Sequence, residues 1–440
     1  MTARKGSTRA NERVRVLQRK LYRAAKAQPE RTFGILYDKV CSMEVLESAW
    51  EAVRRNRGSA GVDAVTIEDV ELYGVRRFLE ELRQELQAQR YRPRPVLRVF
   101  IPKPDGKRRP LGIPRVRDRV AQAAVKIVIE PLFEASFRPG SYGFRPKRGA
   151  GQAIAEIRKW VYRGYDEVID LDLKSYFDTI NQGLLMKLVM RRVRDPRVLR
   201  LIRRWLRAGV MLDGRLEETL VGTPQGGVIS PLLANIYLHP VDLQWERRMR
   251  ATKMVRYADD LVVLCPRGYA EKAMPELRRF LVRMKLTVNE EKTRITTAQE
   301  GFDFLGVHFR KRPTLRDPRR TNCYAWPSRR SMQRMRDKVR GVVDCDYRLS
   351  LAEKIQQLNP VLRGWANYFR CLNAKPSFIK VDGFVRDKLS RWLHRKHQRK
   401  GRAAWSTPPA VLKAAGLHVL EGTPAYLCRM PSGEGSRRAV

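Results

Sequence analysis

Histidine, cysteine and acid are all scarce in this chain of 440 residues, and each scarcity excludes something. The six cysteines (Cys41, Cys265, Cys323, Cys345, Cys371, Cys428) are widely scattered. They form no CxxC pair and no Cys/His cluster at zinc spacing, and the chain has five histidines in all. That excludes a disulfide framework and a structural zinc and points to a reducing compartment. No run approaches the roughly 18 apolar residues of a membrane span. The N-terminus lacks the apolar core of a secretory signal. Its arginines resemble a transit peptide in composition, but Glu12 and a continuous basic helical pattern count against one. The shortage of acid is the most informative: 46 Asp and Glu against 90 Lys and Arg leave a formal charge of +44. Such a chain calls for a polyanionic partner, above all nucleic acid. The cations run the whole length, so a long groove or several contact surfaces are expected rather than one basic tail. A ribosomal-type binder fits the charge equally well, so charge gives the partner and not the activity. A hydrophobic fraction of 43% is ordinary for a globular protein, and the length suits two or three domains.

Among the residues present, one stretch organises the rest. In 254–265 two β-prone apolar runs flank a turn with adjacent carboxylates, Asp259 and Asp260, which reads as a hairpin with both at its tip. Adjacent acids repel and weaken a hairpin. Two readings stand: a divalent cation offsets the repulsion, or the turn is simply solvated. A second acidic element lies in 168–173, where alternation puts Asp170 and Asp172 on one face of a strand. On a core-facing side they would need a cation; on an outer face they would be unremarkable. A two-metal site requires both elements together.

Helical spacing predicts helices over 33–56, 67–90, 115–137, 150–163, 195–208, 269–285 and 328–343, and a weakly amphipathic basic helix over 1–32. The last is expected as a solvated helix or as a basic arm on nucleic acid. Alternation over 94–102, followed by Asp105-Gly106, predicts a hairpin carrying Lys103, Lys107, Arg108 and Arg109. It is either a protected edge or a grip on phosphates. The loop 139–149 interleaves Tyr142 and Phe144 with Arg145, Lys147 and Arg148, a mixture suited to stacking and phosphate contact. Glycines open the segment 221–238, with Ser230 as N-cap and Pro231 at the first helical position. A strand is expected over 302–309, leading into a basic tract. Farther on, Ser350 and Glu353 form a capping-box pattern. Asn359-Pro360 is expected to start a helix with Leu362, Trp365 and Phe369 inward, and a third begins near Phe378 and runs past Trp392. These aromatics read as core. Residues 400–440 read as a loose ending.

In order along the chain, "NRGSAGVD", "IPKPDGKRRPLGIP", "SYGFRPKRGA", "DLKSYFDTI", "TPQGGVISPLLANIYL", "YADD", "LTVNEEKT" and "FDFLGV" resemble the reverse transcriptases encoded by bacterial group II introns. The likeness covers roughly 35–400, and "LNPVLRGWANYF" is similar to that family's thumb and maturase region. The resemblance implies an α+β right-hand polymerase fold, with fingers and an antiparallel palm sheet followed by an all-helical thumb. The implied domains are a basic extension over 1–34, fingers and palm over 35–310, a thumb and maturase domain over 311–400, and a tail over 401–440.

The implied activity is RNA-directed DNA synthesis with two Mg²⁺ ions, Mn²⁺ being a possible substitute. Asp172, Asp259 and Asp260 are the implied metal-binding and catalytic acids, with Leu173 lending its backbone carbonyl. Asp170 is a weaker candidate and Asp178 a structural one. Lys103, Arg109, Phe177, Gln225, Gly226 and Lys292 are implied to meet the dNTP, Phe177 as a steric gate against ribose and Lys292 as a proton source for leaving pyrophosphate. Tyr257, Ala258, Arg145, Lys147 and Arg148 are implied to touch primer or template. Implied partners are group II intron RNA, an RNA template with DNA primer or target DNA, and dNTPs, with no membrane; the implied location is bacterial cytoplasm, near the nucleoid. The zinc-containing endonuclease domain of many relatives has no cysteine pairs here, so priming on nicked or single-stranded DNA is expected. Two other readings are a non-catalytic RNA-binding splicing factor and a domesticated enzyme of repair or defence. The intact acids oppose the first, and "YADD" favours the mobile intron over the second.

Overall fold

A computed structural model describes the chain except residues 1, 103–105, 107, 213–214, 218–221, 223–225, 315–316, 346, 398–406 and 424–440. Its contacts divide into two compact units. One comprises 1–149, 170–263 and 271–294, the other 150–169, 264–270 and 295–440.

The chain opens with helices α1 (Thr2–Ala27), α2 (Tyr37–Val40), α3 (Met43–Asn56), α4 (Ile67–Tyr73) and α5 (Val75–Gln87). Strands β1 (Val96–Pro102) and β2 (Arg108–Ile113) form the expected antiparallel hairpin, and α6 (Val116–Glu134) follows. The segment predicted as one helix over 67–90 is two. Gly74, at φ +102°, ends α4, and Thr66 and Asp69 close a capping box at its start. The basic arm is also corrected. Ala10, Val14, Leu21 and Ala25 are buried, and α1 packs on α3 and α6. Its apolar stripe needed a partner, and the first unit supplies one.

Next come α7 (Ala150–Tyr162), β3 (Glu167–Leu171), α8 (Tyr176–Thr179), α9 (Gln182–Val189) and α10 (Pro196–Leu206). Short strands β4 (Val210–Leu212) and β5 (Arg215–Glu217) lie beside β1 in the order β2-β1-β4-β5, the β1–β4 pair being parallel. Helix α11 (Ser230–Arg248) is buried nearly all round, from Leu232 to Trp245. A helix apolar on every side belongs at the centre of a fold, and α11 packs on α6, α9 and β6 (Lys253–Tyr257). Strands β7 (Asp260–Cys265) and β8 (Arg294–Thr297), separated along the chain by α12 (Ala270–Arg283), complete a second sheet, in the order β6-β7-β3-β8.

In the second unit, β9 (Phe302–Phe304), β10 (Val307–Pro313) and β11 (Thr321–Pro327) form a sheet in the order β11-β10-β9. The single strand expected over 302–309 is therefore a hairpin. Leu305 and Gly306, at φ +50° and +76°, make its two-residue turn. Helix α7 covers β10 and β11. Then α13 (Arg329–Val343), α14 (Leu351–Phe369) and α15 (Lys375–Lys396) pack around Met335, Val339, Leu358, Leu362, Phe378 and Leu389. Helix α14 begins at its Ser350–Glu353 capping box and runs through Pro360 instead of starting there. The ending is not loose over 407–423. A final helix, α16 (Pro409–Ala414), buries Leu412. Asp382 accepts hydrogen bonds from the Leu420 and Glu421 amides, at 3.0 and 2.9 Å. Asn359 accepts from the His418 amide at 2.9 Å. No helix among the described residues is long and apolar enough to cross a membrane.

Candidate active site

Strands β6 and β7 are joined by a two-residue turn, Ala258-Asp259. Asp260 is thus the first residue of β7 and not part of the turn proper. Ala258 sits at φ +59°, a left-handed conformation that costs a residue with a Cβ about 1–2 kcal/mol. Two neighbours hold it there, the loop around Gly143 and the Arg256 side chain. The Gly143 backbone lies so close that a Cβ on it would stand 2.3 Å from the Ala258 amide nitrogen. The chain around Gly143 runs alongside β6, the Tyr142 amide donating to the Arg256 carbonyl and the Arg256 amide to the Gly140 carbonyl, both at 2.8 Å. The Arg256 side chain, 1% exposed, donates to the Ala258 carbonyl at 2.9 Å.

Arg256 also grips Asp242 of α11 through Nε at 2.8 Å and Nη2 at 2.5 Å, and Asn235 Oδ1 through Nη1 at 3.0 Å. Burial opposes its charge, but Asp242, helped by Tyr176 and Asp259, holds the guanidinium pKa above its ordinary value. The Asn235 amide in turn donates to the Gly143 carbonyl at 2.8 Å. Sequence reasoning missed Arg256, Asn235, Asp242 and Gly143. The available signal was three polar residues inside otherwise apolar segments, which are stable only when paired.

Asp172 follows the end of β3 and is wrapped by the segment 287–293. Its carbonyl accepts from the Asn289 amide at 2.9 Å, and its Oδ2 accepts from Asn289 Nδ2 at 3.0 Å. Lys292 Nζ is 3.3 Å from the same Oδ2. Asp170 pairs with Arg294 at 3.7 Å. Leu173 is buried and bridged to Val288 in antiparallel register.

The Asp260 residue is exposed, yet surrounding protein shields its carboxyl from water. Burial pushes its pKa up to about 6, helped by Asp259, Asp172 and Asp170 and opposed by Lys292. Like charges gathered without a full set of counter-charges have this effect. Among the described residues no three His, Cys, Asp or Glu side chains are already gathered as a metal-binding group. The donor chemistry nevertheless fits a hard divalent cation: carboxylate oxygens on adjoining elements, with an unfavourable mutual field.

The remaining candidates fall in several places. Phe177 is buried against Tyr176, ring centroids 5.4 Å apart. Tyr257 lies 6.4 Å from exposed Phe144. Gly226, at φ +111°, abuts the Gly112 carbonyl of β2, leaving no room for a Cβ. Lys147 is exposed. Arg148 is half-buried and donates to the Pro139 carbonyl at 2.6 Å. Arg145 is a correction. It is buried and engages Glu134 and the Arg138 and Ser141 carbonyls at 2.6–2.9 Å, so it braces the loop and cannot reach a strand of nucleic acid. Arg109 pairs with Ile101 in the β1–β2 register; its side chain, like Lys103 and Gln225, lies outside the described residues.

Residues 101–309 match the family described as reverse transcriptase (RNA-dependent DNA polymerase), and residues 332–407 match the group II intron maturase-specific domain. Protein YkfC of Escherichia coli K12 is 35% identical over 337 residues, covering 66% of this chain and 86% of YkfC. The chain belongs to the group II intron reverse transcriptases. The group II intron-encoded protein LtrA of Lactococcus lactis is 30% identical over 276 residues, 60% of this chain. A putative COX1/OXI3 intron 1 protein of Saccharomyces cerevisiae is 29% identical over 326 residues. The chain spans 43% of the length of LtrA and 38% of the yeast protein. As a reverse transcriptase of this family, the chain has an α+β polymerase fold with a palm and a helical C-terminal region. Two features were not expected: the parallel β1–β4 pair, and the three-stranded sheet ahead of the helices. Reverse transcriptases as a class depend on divalent metal.

Proposed function

We propose that the chain extends a DNA primer along an RNA template, using two Mg²⁺ ions at Asp172, Asp259 and Asp260, with Mn²⁺ as a substitute. The observation that carries this is the gathering of Asp259, Asp172 and Asp170 about Asp260; burial first, and these acids second, push its carboxyl up to about 6. When bound, the ions stabilise the attacking 3′-oxygen and the leaving pyrophosphate oxygen of an in-line displacement. The chain's own groups do the rest. Asn289 anchors one oxygen of Asp172 and leaves the other for a cation. Leu173 offers its carbonyl. Lys292 neutralises Asp172 and stands ready to donate a proton to pyrophosphate. Phe177 walls the site against a ribose 2′-hydroxyl. Lys103, Arg109, Gln225 and Gly226 meet the dNTP, and Tyr257, Ala258, Lys147 and Arg148 meet primer or template.

The same proposal gives residues 35–310 to fingers and palm and 311–400 to thumb and maturase. The excess of cations supports binding of group II intron RNA, help in its splicing, and copying of the intron into DNA during retrohoming. The test supplies the purified chain with an RNA template, an annealed DNA primer and dNTPs, and separately titrates group II intron RNA at rising salt. Primer extension, and RNA affinity that falls steeply with salt, are expected. No extension, or a flat salt response, contradicts the proposal.

A further inference from the structure

A buried ion pair contributes little net stability compared with an apolar pair of the same volume, which makes the placement of Arg256 informative. Its guanidinium is spent inside the protein on Asp242, Asn235 and the Ala258 carbonyl. The Ala258 carbonyl and the Asp259 amide belong to one planar peptide group. Holding that carbonyl therefore fixes the orientation from which the Asp259 residue starts. Asn235 ties the same cluster to the Gly143 carbonyl, and Gly143 lies against the amide end of Ala258. The turn is clasped from α11 and from the loop 139–149 at once, and a left-handed alanine persists only where its surroundings determine it so fully.

We propose that Arg256, Asp242 and Asn235 are positioning residues that set the Ala258–Asp259 peptide, so that metal affinity depends on them and not stability alone. The inference rests on the reading of Asp259 as a metal ligand. The direct test is the double variant Arg256→Met with Asp242→Leu, which removes the clasp without leaving a buried charge unpaired. Manganese binding is counted by electron paramagnetic resonance in the full chain, loaded with chain-terminated primer–template and the matching dNTP. The Mg²⁺ concentration for half-maximal extension, the melting temperature and the primer–template affinity are measured alongside.

Melting temperature and primer–template affinity should stay near wild type, while Mn²⁺ affinity falls and the Mg²⁺ requirement rises about 10–100-fold, the usual cost of losing a group that orients a metal ligand. Should the double variant not fold, Asn235→Ser leaves the Arg256–Asp242 pair intact and loosens the link to Gly143; it should shift both metal readouts the same way by a smaller factor. A folded variant of either kind that binds Mn²⁺ as tightly as the wild type overturns the proposal. Asp259→Ala, run in parallel, should abolish the same Mn²⁺ signal. Wild-type binding there overturns the metal reading itself, whatever the clasp variants do.

Discussion

Arg256 Nη1 donates to the carbonyl of Ala258, two residues further along its own chain, at 2.9 Å. A strand side chain thus folds back beneath the turn that follows it and fixes the peptide ahead of Asp259. The turn that carries Asp259 is held by a side chain of its own strand, and a backbone fixed in advance is what pre-organisation of a site consists of.

Gly143 gives the first check. A Cβ there would meet the Ala258 nitrogen at 2.3 Å and the Tyr257 carbonyl carbon at 2.8 Å, both backbone atoms. Gly143→Ala should lower stability by about 1–3 kcal/mol and sharply reduce primer extension. Gly149, in the same loop, would place its Cβ within 4 Å of nothing among the described residues. Gly149→Ala should melt and extend like the wild type. Thermal melts and extension assays on the pair decide it, and equal behaviour of the two variants contradicts the packing account.

Asp260 predicts a pH effect. Burial and its acidic neighbours push its carboxyl up to about 6, above the ordinary carboxylate range. Folding therefore disfavours the ionised form. The penalty is absent below the unfolded pKa, grows as pH rises towards about 6, and is complete above it. Without metal, Asp260→Asn should melt higher than the wild type at about pH 7.5; the gap should narrow as pH falls through about 6 and close only below about 4, the unfolded carboxylate pKa. A gap that does not vary with pH would rule out this origin.

Phe177 is tested by nucleotide choice. Phe177→Ala should let the enzyme incorporate ribonucleotides, read by extension with each rNTP in turn. Because the ring is buried and packs on Tyr176, the variant should also lose stability, about 3–5 kcal/mol for a fully packed aromatic. Unchanged exclusion of rNTPs in a folded variant assigns the ring to the core alone.

The docked N-terminal helix gives a stability test. Leu21 is buried on α1, which packs against α3 and α6. Leu21→Ala should cost about 2–5 kcal/mol in a denaturant titration. A free basic arm would show no change.

The acids were legible because carboxylates interrupt apolar runs, which is rare without a reason. Asp170, Asp172, Asp259 and Asp260 stood out on that ground, and only the family resemblance put Asp172 ahead of Asp170. Arg256 did not, because alternation assumes that one face of a strand meets water. In β6 both Val255 and Arg256 are buried, since the strand is covered on both faces. Asn235 and Asp242 were hidden for a related reason: α11 has no wet face against which to set them. The Leu305-Gly306 turn lacks the Asn or Asp that usually marks a two-residue hairpin, so β9 and β10 read as one strand. In α1 the buried stripe includes Ala10 and Ala25, too small to distinguish a docked helix from a solvated one. Tertiary packing decided each of these, and local pattern could not carry it.

Asp259 as a ligand of catalytic metal is tested by Asp259→Ala. In an RNA-templated primer extension at rising Mg²⁺, the variant should give no product above background, with RNA affinity and melting temperature near those of the wild type. Substantial DNA synthesis by the folded variant would overturn the assignment.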